Sequence, residues 1–154
     1  MTTGAEVSIR TAGTADASLL VAIRSCRRPS ATLVDEFVHH LGIPSGDDYF
    51  CLAGEIDGVV VGYLSAGGSR DDDHKSYGEF YELAVDPAHA RSSALFDLAH
   101  EGLGRLVRAQ YGGVIAWIGH DDDLGRCFDC GWDYVRGSNS HRATKRVWAL
   151  LARP

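Results

Sequence analysis

The stretch Tyr77–Gly104, YGEFYELAVDPAHARSSALFDLAHEGLG, constrains the fold more than any other part of this chain. Phe80-Tyr81-Glu82-Leu83-Ala84-Val85 has the apolar, aromatic and β-branched content of a strand. Asp86-Pro87 stops it, because proline has no N–H to give to a strand ladder. A polar link, Ala88–Ser93, then leads into Ala94–Val107, where Leu95, Leu98, Ala99, Leu103, Leu106 and Val107 recur at helical spacing. A strand that breaks and feeds directly into a helix leaves the first helical N–H groups facing open space. Such a terminus suits an anion.

Around this unit the chain reads as alternating short elements. Val7–Arg10 is a short alternating segment, expected as an edge strand. Thr14 is the expected N-cap of a helix over Ala15–Arg27, with Leu19, Leu20, Ile23 and Cys26 as its apolar stripe. Arg24, Arg27 and Arg28 form a basic cluster near its end, where cations oppose the helix dipole and could also meet an acidic partner. Pro29 closes this helix. A second starts near Thr32, with Leu33, Phe37, Val38 and Leu41 on one side and Gly42 as its stop. Asp47–Gly54 and Val59–Ala66 are apolar runs joined through Asp57-Gly58, the strongest short hairpin signal, because the turn needs positive φ. Gly67–Ser76 is a polar loop. Val114–Ile118 reads as a buried strand, and a short helix capped within His120–Asp123 ends at Gly131. Trp132–Val135 and Lys145–Leu151 close the chain as paired strands, joined by the polar loop Arg136–Thr144.

At 154 residues the chain is one domain, expected over 1–154, and long enough to bury a sizeable core. Its 45% hydrophobic and 23% charged residues are those of an ordinary globular protein, and no apolar run approaches the roughly 18 residues of a membrane span. The start lacks the basic and apolar regions of a signal peptide, so the expected location is the cytoplasm. A net charge of −6 argues against a general nucleic-acid surface. Four scattered cysteines make no disulfide scaffold. Cys127-Phe-Asp-Cys130 has C-x-x-C spacing but no second pair, and reads as buried packing. His120-Asp-Asp-Asp123 reads as an acidic helix start, so no metal is expected.

Leu83-Ala-Val-Asp-Pro87, followed by Arg91 and an apolar helix, resembles the acyl-CoA-binding motif of GNAT-type N-acetyltransferases. In that family the motif runs Leu-x-Val-x-Pro and then Arg-x-x-Gly-x-Gly, with the turn cradling the CoA pyrophosphate. Here the two glycine places fall on Ala94 and Phe96, and Arg91 stands one residue later than usual after Pro87. The order of elements is also the family's. The resemblance implies an α/β fold with a central twisted mixed sheet of about six to seven strands, helices on both faces, and a splay between the fourth and fifth strands. It implies an N-acyltransferase moving an acyl group from acetyl-CoA, or another acyl-CoA, to a primary amine of a small molecule or peptide. On that reading Leu83, Ala84 and Val85 bond pantetheine, while Arg91, Ser92, Ser93, Ala94 and Leu95 hold the pyrophosphate. The departures at Ala94 and Phe96 keep a second donor open, an acyl carrier protein or an aminoacyl-tRNA, and a non-catalytic binding module is a third reading. A homodimer is compatible with the family.

Acyl transfer to an amine needs a base for the ammonium proton, donors for the developing oxyanion and an acid for the thiolate. Glu79 and Glu82 are the candidate bases. Three residues apart, they face opposite sides of a regular strand, and share a side only if a bulge intervenes, as it commonly does in the family. A second local match places Asp121, Leu124, Cys127, Phe128, Gly131 and Trp132 on the family's C-terminal Asn-x-x-Ala-x-x-Leu-Tyr-x-x-x-Gly-Phe pattern. It implies cofactor contacts at Asp121 and Phe128, with Phe128 or Cys127 where the family's acid tyrosine stands. His120 is the expected substrate contact.

Overall fold

The computed structural model of the chain describes residues 4–27, 34–69, 76–112, 114–118, 134–139 and 146–150. Its elements are β1 (Val7–Thr11), a 3-10 turn (Thr14–Asp16), α1 (Ala17–Arg27), α2 (Val34–Leu41), β2 (Tyr49–Ile56), β3 (Val59–Gly68) and β4 (Gly78–Val85). A 3-10 turn (Pro87–His89), α3 (Ala94–Arg108), β5 (Val114–Ile118), β6 (Tyr134–Asn139) and β7 (Arg146–Leu150) follow. The strands form one sheet in the order β1-β2-β3-β4-β5-β7-β6. Every neighbouring pair is antiparallel except β4 and β5, which run parallel.

The β2–β3 turn is the one the Asp-Gly pair demands. Asp57 and Gly58 both have positive φ, 53° and 78°, the combination whose twist matches that of the strands it joins. Alternation along β2 then sorts the core into two layers. Phe50 and Leu52 pack with Leu95, Leu98, Ala99 and Leu106 of α3 on one face. Cys51 and Ala53 pack with Leu20 and Ile23 of α1 and Phe37 of α2 on the other. Helices thus cover both faces of a mixed sheet, as the element order implied. Ile115 is also buried, at 1% exposure, which agrees with the reading of β5 as a buried strand.

Several local expectations change. Thr14 does not cap α1; the carboxylate of Asp16 reaches back 2.8 Å to the N–H of Gly13 and starts the helix through a 3-10 turn. Asp16 also takes two bonds of 2.8 Å from Arg10, which ties the helix start to β1. On α1, Leu19 and Cys26 are exposed, and Ala17 takes a place on the inward face beside Leu20 and Ile23. On α2, Phe37 is buried but Val38 is 40% exposed, because eight residues give only two turns to face inward. Gly67 and Gly68 belong to β3 rather than to the loop after it. A side chain at Gly67 would meet the Asp48 carbonyl oxygen at 2.1 Å, so only glycine lets the two backbones approach. At the other end of α3, Gln110 stands in the left-handed region with φ 67°. Its N–H bonds the Val107 carbonyl at 3.0 Å and the Tyr111 N–H bonds that of Leu106 at 3.2 Å, the two closures of a Schellman ending.

The feature that positions the site is a one-residue bulge in β4. Ser65 pairs with Glu82 and Ala66 with Phe80, so Tyr81 has no residue opposite it. Phe80 and Leu83, three apart, therefore both face the α3 layer. Tyr81 and Glu82, adjacent in sequence, are both presented to the α1–α2 side.

Candidate active site

On that side α1, α2 and the middle strands enclose a pocket of about 250 Å³. Glu82, Cys51, Ser65 and Phe37 form its deeper part, with Arg24, Tyr49 and Tyr81 as walls and Glu36 and His40 at the exposed rim. The Tyr49 and Tyr81 rings lie 13° from parallel with centroids 6.3 Å apart, and the Tyr81 hydroxyl donates to the Gly68 carbonyl. The bulge delivers Tyr81 and Glu82 to the pocket together.

Glu82 is held from below. The hydroxyl of Tyr63, a fully buried ring, donates to Oε1 of Glu82. Nε of Arg24 lies 3.1 Å from the same oxygen. That nitrogen is shut off from solvent and its N–H does not lie along a hydrogen bond, so charge rather than a directed bond holds the pair. The Arg24 guanidinium rests on Phe37, 5.7 Å from the ring centre, and Phe37 meets Tyr63 edge-on at 5.7 Å. Both contacts converge on Oε1, and Oε2 takes no partner among the described residues. Burial, followed by the neighbouring Glu82 charge and hydrogen bond, drives the Tyr63 hydroxyl far above its ordinary range, so it serves as a fixed donor and not as an acid. Burial likewise pushes the Cys51 thiol up to about 12, which keeps it protonated and poorly nucleophilic.

Of the two carboxylates, the structure brings only Glu82 into the pocket. Glu79 lies between Gly78 and Phe80, which face α3, so it shares the side of Glu82, as a bulge allows. Glu79 is nevertheless 6% exposed and does not line the pocket. Arg24 is a correction: it does not stand in an exposed basic cluster but turns inward to Glu82, with 28% of its side chain accessible. Helical spacing carried the signal, because Arg24 lies four residues after Leu20 and next to Ile23, both fully or nearly buried. Tyr63, Tyr81 and His40 were also not marked by the sequence. His40 Nδ1 lies 2.8 Å from the Glu36 carbonyl, which can only accept, so Nδ1 carries a proton.

A second opening lies between β4 and β5. They pair at three positions only, Gly78 with Val114, Glu79 with Ile115 and Phe80 with Ala116, although both strands run on. Ladder alternation, set by the bond from the Asp86 N–H to the Val61 carbonyl at 2.7 Å, turns the backbone groups of Leu83 and Val85 away from β3 and toward this gap. Ala84 faces the α1–α2 core instead.

Beyond β4 the chain folds tightly. The Asp86 carboxylate accepts from the Ala88 N–H at 3.0 Å, and Ser92 Oγ donates to the His89 carbonyl at 2.7 Å. Ser92 Oγ also lies 3.3 Å from the Ala94 N–H. Ser93 spends its hydroxyl on Asp97 at 2.6 Å and does not cap α3. The N–H groups of Ser93, Leu95 and Phe96 therefore have no partner among the described residues. Ala94 is wholly buried and Phe96 packs against the α3 core, so the side chains at both glycine places turn inward and leave the turn open. Arg91 is exposed and makes no ion pair among the described residues; the nearby Glu101 pairs with Arg105 and Arg108. Asp97, in the first turn of α3, sets a negative charge against any anion there. His120, Asp121, Cys127, Phe128 and Cys130 lie outside the described residues. Among the described residues no three His, Cys, Asp or Glu side chains are grouped to hold a metal, and no helix is long and apolar enough to cross a membrane.

With this geometry in hand, the fold is that of the GNAT-type N-acetyltransferases. PaiA N-acetyltransferase from Thermoplasma acidophilum, solved in complex with coenzyme A, matches over 95% of this chain and 99% of its own with a TM-score of 0.76 at 9% identity. yncA from Salmonella typhimurium, solved with its cofactor acetyl-CoA, matches over 95% and 93% with a TM-score of 0.72 at 20% identity. Ribosomal-protein-alanine N-acetyltransferase from Brucella melitensis matches over 92% and 97% with a TM-score of 0.73 at 18% identity. No family model matches the sequence, and no curated protein is significantly similar to it.

Proposed function

We propose that the chain transfers an acyl group from acetyl-CoA, or another acyl-CoA, to a primary amine, with Glu82 as the base. One observation carries this reading: Glu82 is fixed through Oε1 and presents an uncommitted Oε2 to a pocket beside the β4–β5 opening. The amine enters as an ammonium and gives a proton to Oε2. Its nitrogen then attacks the thioester carbonyl, a C–N bond forms, the C–S bond breaks, and the departing thiolate takes up the second proton that the nitrogen sheds as it becomes an amide. The backbone N–H group of Leu83, facing the opening, is suited to polarise the carbonyl or bond pantetheine. The N–H groups of Ser93, Leu95 and Phe96, with Arg91, would receive the pyrophosphate. The presence of CoA in PaiA and of acetyl-CoA in yncA supports this choice of donor.

The carrier-protein and aminoacyl-tRNA donors lose Arg24 as a docking point, since it is turned toward Glu82. Titration calorimetry with acetyl-CoA tests the proposal. Micromolar binding is expected, and no heat at millimolar ligand would reject the CoA donor. Thiol release with an amine present then separates an enzyme from a binding module.

A further inference from the structure

The pocket lining holds an anion and a cation side by side, and each keeps unused valence. Tyr63 and Arg24 both engage Oε1 of Glu82, so Oε2 is left over. Arg24 donates no hydrogen bond to any described residue, so both Nη groups are left over as well. A simple alkylamine would satisfy Oε2 but would set its cation beside the guanidinium with nothing to meet it. A ligand carrying ammonium and carboxylate on neighbouring atoms satisfies both, with charges alternating in sign around the four groups.

Resting on the acyl-transfer reading of the same site, we propose that the acceptor is a free α-amino acid with an apolar or aromatic side chain. Its ammonium sits on Oε2 of Glu82 and its carboxylate on the Nη groups of Arg24. Its side chain lies against Phe37 and the Tyr49–Tyr81 pair. Size agrees: about 250 Å³ is below the roughly 300–1,000 Å³ of drug-sized pockets, and suits a single residue better than a peptide. A peptide N-terminus also lacks the adjacent carboxylate and would leave the Arg24 Nη groups without an acceptor. Arg24 lies over Phe37, 5.7 Å from the ring centre, and its planar guanidinium suits a carboxylate through two N–H groups. Arg24 is thus the residue that sets specificity, and Glu82 serves both recognition and proton removal.

Calorimetry on the full chain, with and without saturating CoA, tests this without turnover. The ligands are L-phenylalanine, phenethylamine, which lacks the carboxylate, and 3-phenylpropanoate, which lacks the ammonium. The amino acid should bind at least about 30-fold more tightly than either one-armed analogue, the ratio a charge-assisted hydrogen-bonded pair supports. In Arg24→Met that advantage over phenethylamine should vanish, and Arg24→Lys should restore part of it. The proposal is overturned if unmodified protein binds phenethylamine as tightly as phenylalanine, or if no apolar amino acid binds at millimolar concentration. Equal weakening of both ligands by Arg24→Met would overturn it too. Turnover separates the two readings. Amino-acid binding without thiol release would sink acyl transfer and leave this site standing. Thiol release with phenethylamine but with no amino acid would do the reverse.

Discussion

Replacing Glu82 by Gln is the most informative single change, because it removes basicity while keeping the shape of the site. The Gln carbonyl oxygen can still accept from Tyr63, so the buried hydroxyl keeps its partner. The lost charge leaves Arg24 without its anion, but the side chains are 28% and 21% accessible, which limits the stability cost to about 1 kcal/mol or less. For a domain of this size that lowers the melting temperature by no more than about 4 °C. Losing a positioned general base should lower kcat/KM by about 10²–10⁴-fold, or roughly 3–5 kcal/mol of barrier. Glu79→Gln is the control. That carboxylate is 6% exposed and off the pocket, so its replacement should cost about 1–3 kcal/mol of stability and change the rate less than about threefold. Thiol release from acetyl-CoA at fixed amine, followed with a disulfide chromogen, gives the rates; melting curves confirm folding. A folded Glu82→Gln protein within about threefold of the parent rate would refute the assignment. So would a large loss confined to Glu79→Gln.

Three further outcomes follow from the packing. Arg10, followed by the Gly13 N–H, holds the Asp16 carboxyl below its ordinary range against the opposing effect of burial. A depressed folded value means that this stabilisation is complete above the unfolded carboxylate range and is lost as pH falls through the folded one. Urea melts should therefore show Asp16→Asn less stable than the parent by about 2 kcal/mol at neutral pH, with the two curves converging in acid. Gln110→Gly should raise stability by about 0.5–1 kcal/mol in the same melts, since it relieves a left-handed φ that glycine adopts freely. Peptide mapping after alkylation at pH 8 should find Cys26 modified and Cys51 protected, because Cys26 is exposed while the buried Cys51 thiol stays protonated up to about 12. Equal labelling in folded protein would contradict the enclosed floor of the pocket.

The architecture was legible because its signals are local. Asp57-Gly58 fixes a hairpin by backbone sterics, and Asp86-Pro87 ends β4 through a missing N–H, so neither needs tertiary information. The bulge at Tyr81 was conceivable but not locatable, since an extra residue in a strand leaves no mark in a run that is apolar on both faces. The bulge is what brings Glu82 to the same side of the sheet as Glu79, and position along β4 then leaves Glu82 alone in the pocket. Arg24 was misjudged for a related reason. A cation near a helix C-terminus is satisfied by the dipole alone, and only the position of Glu82 across the gap reveals a stronger partner. Tyr63 sits in the long apolar run of β3 and reads as core, and it is core; its hydroxyl matters because the bulge brings Glu82 over it. The side chains at Ala94 and Phe96 could not be oriented before the helix was placed against the sheet.

The brevity of the β4–β5 ladder has a mechanical consequence. Three rungs join the β1–β4 and β5–β7 parts of the sheet, so the notch between the strands ends at Phe80 and Ala116 as a crack ends at its tip. Opening strain concentrates at such a tip, and α3, packed across β1 to β4, braces one flank of it. A ligand bonded along the β4 side fills the notch and stiffens the joint. Amide hydrogen exchange at Ala116 and its neighbours should then slow when acetyl-CoA binds, reporting cofactor occupancy from the tip of the notch rather than from the residues that touch it.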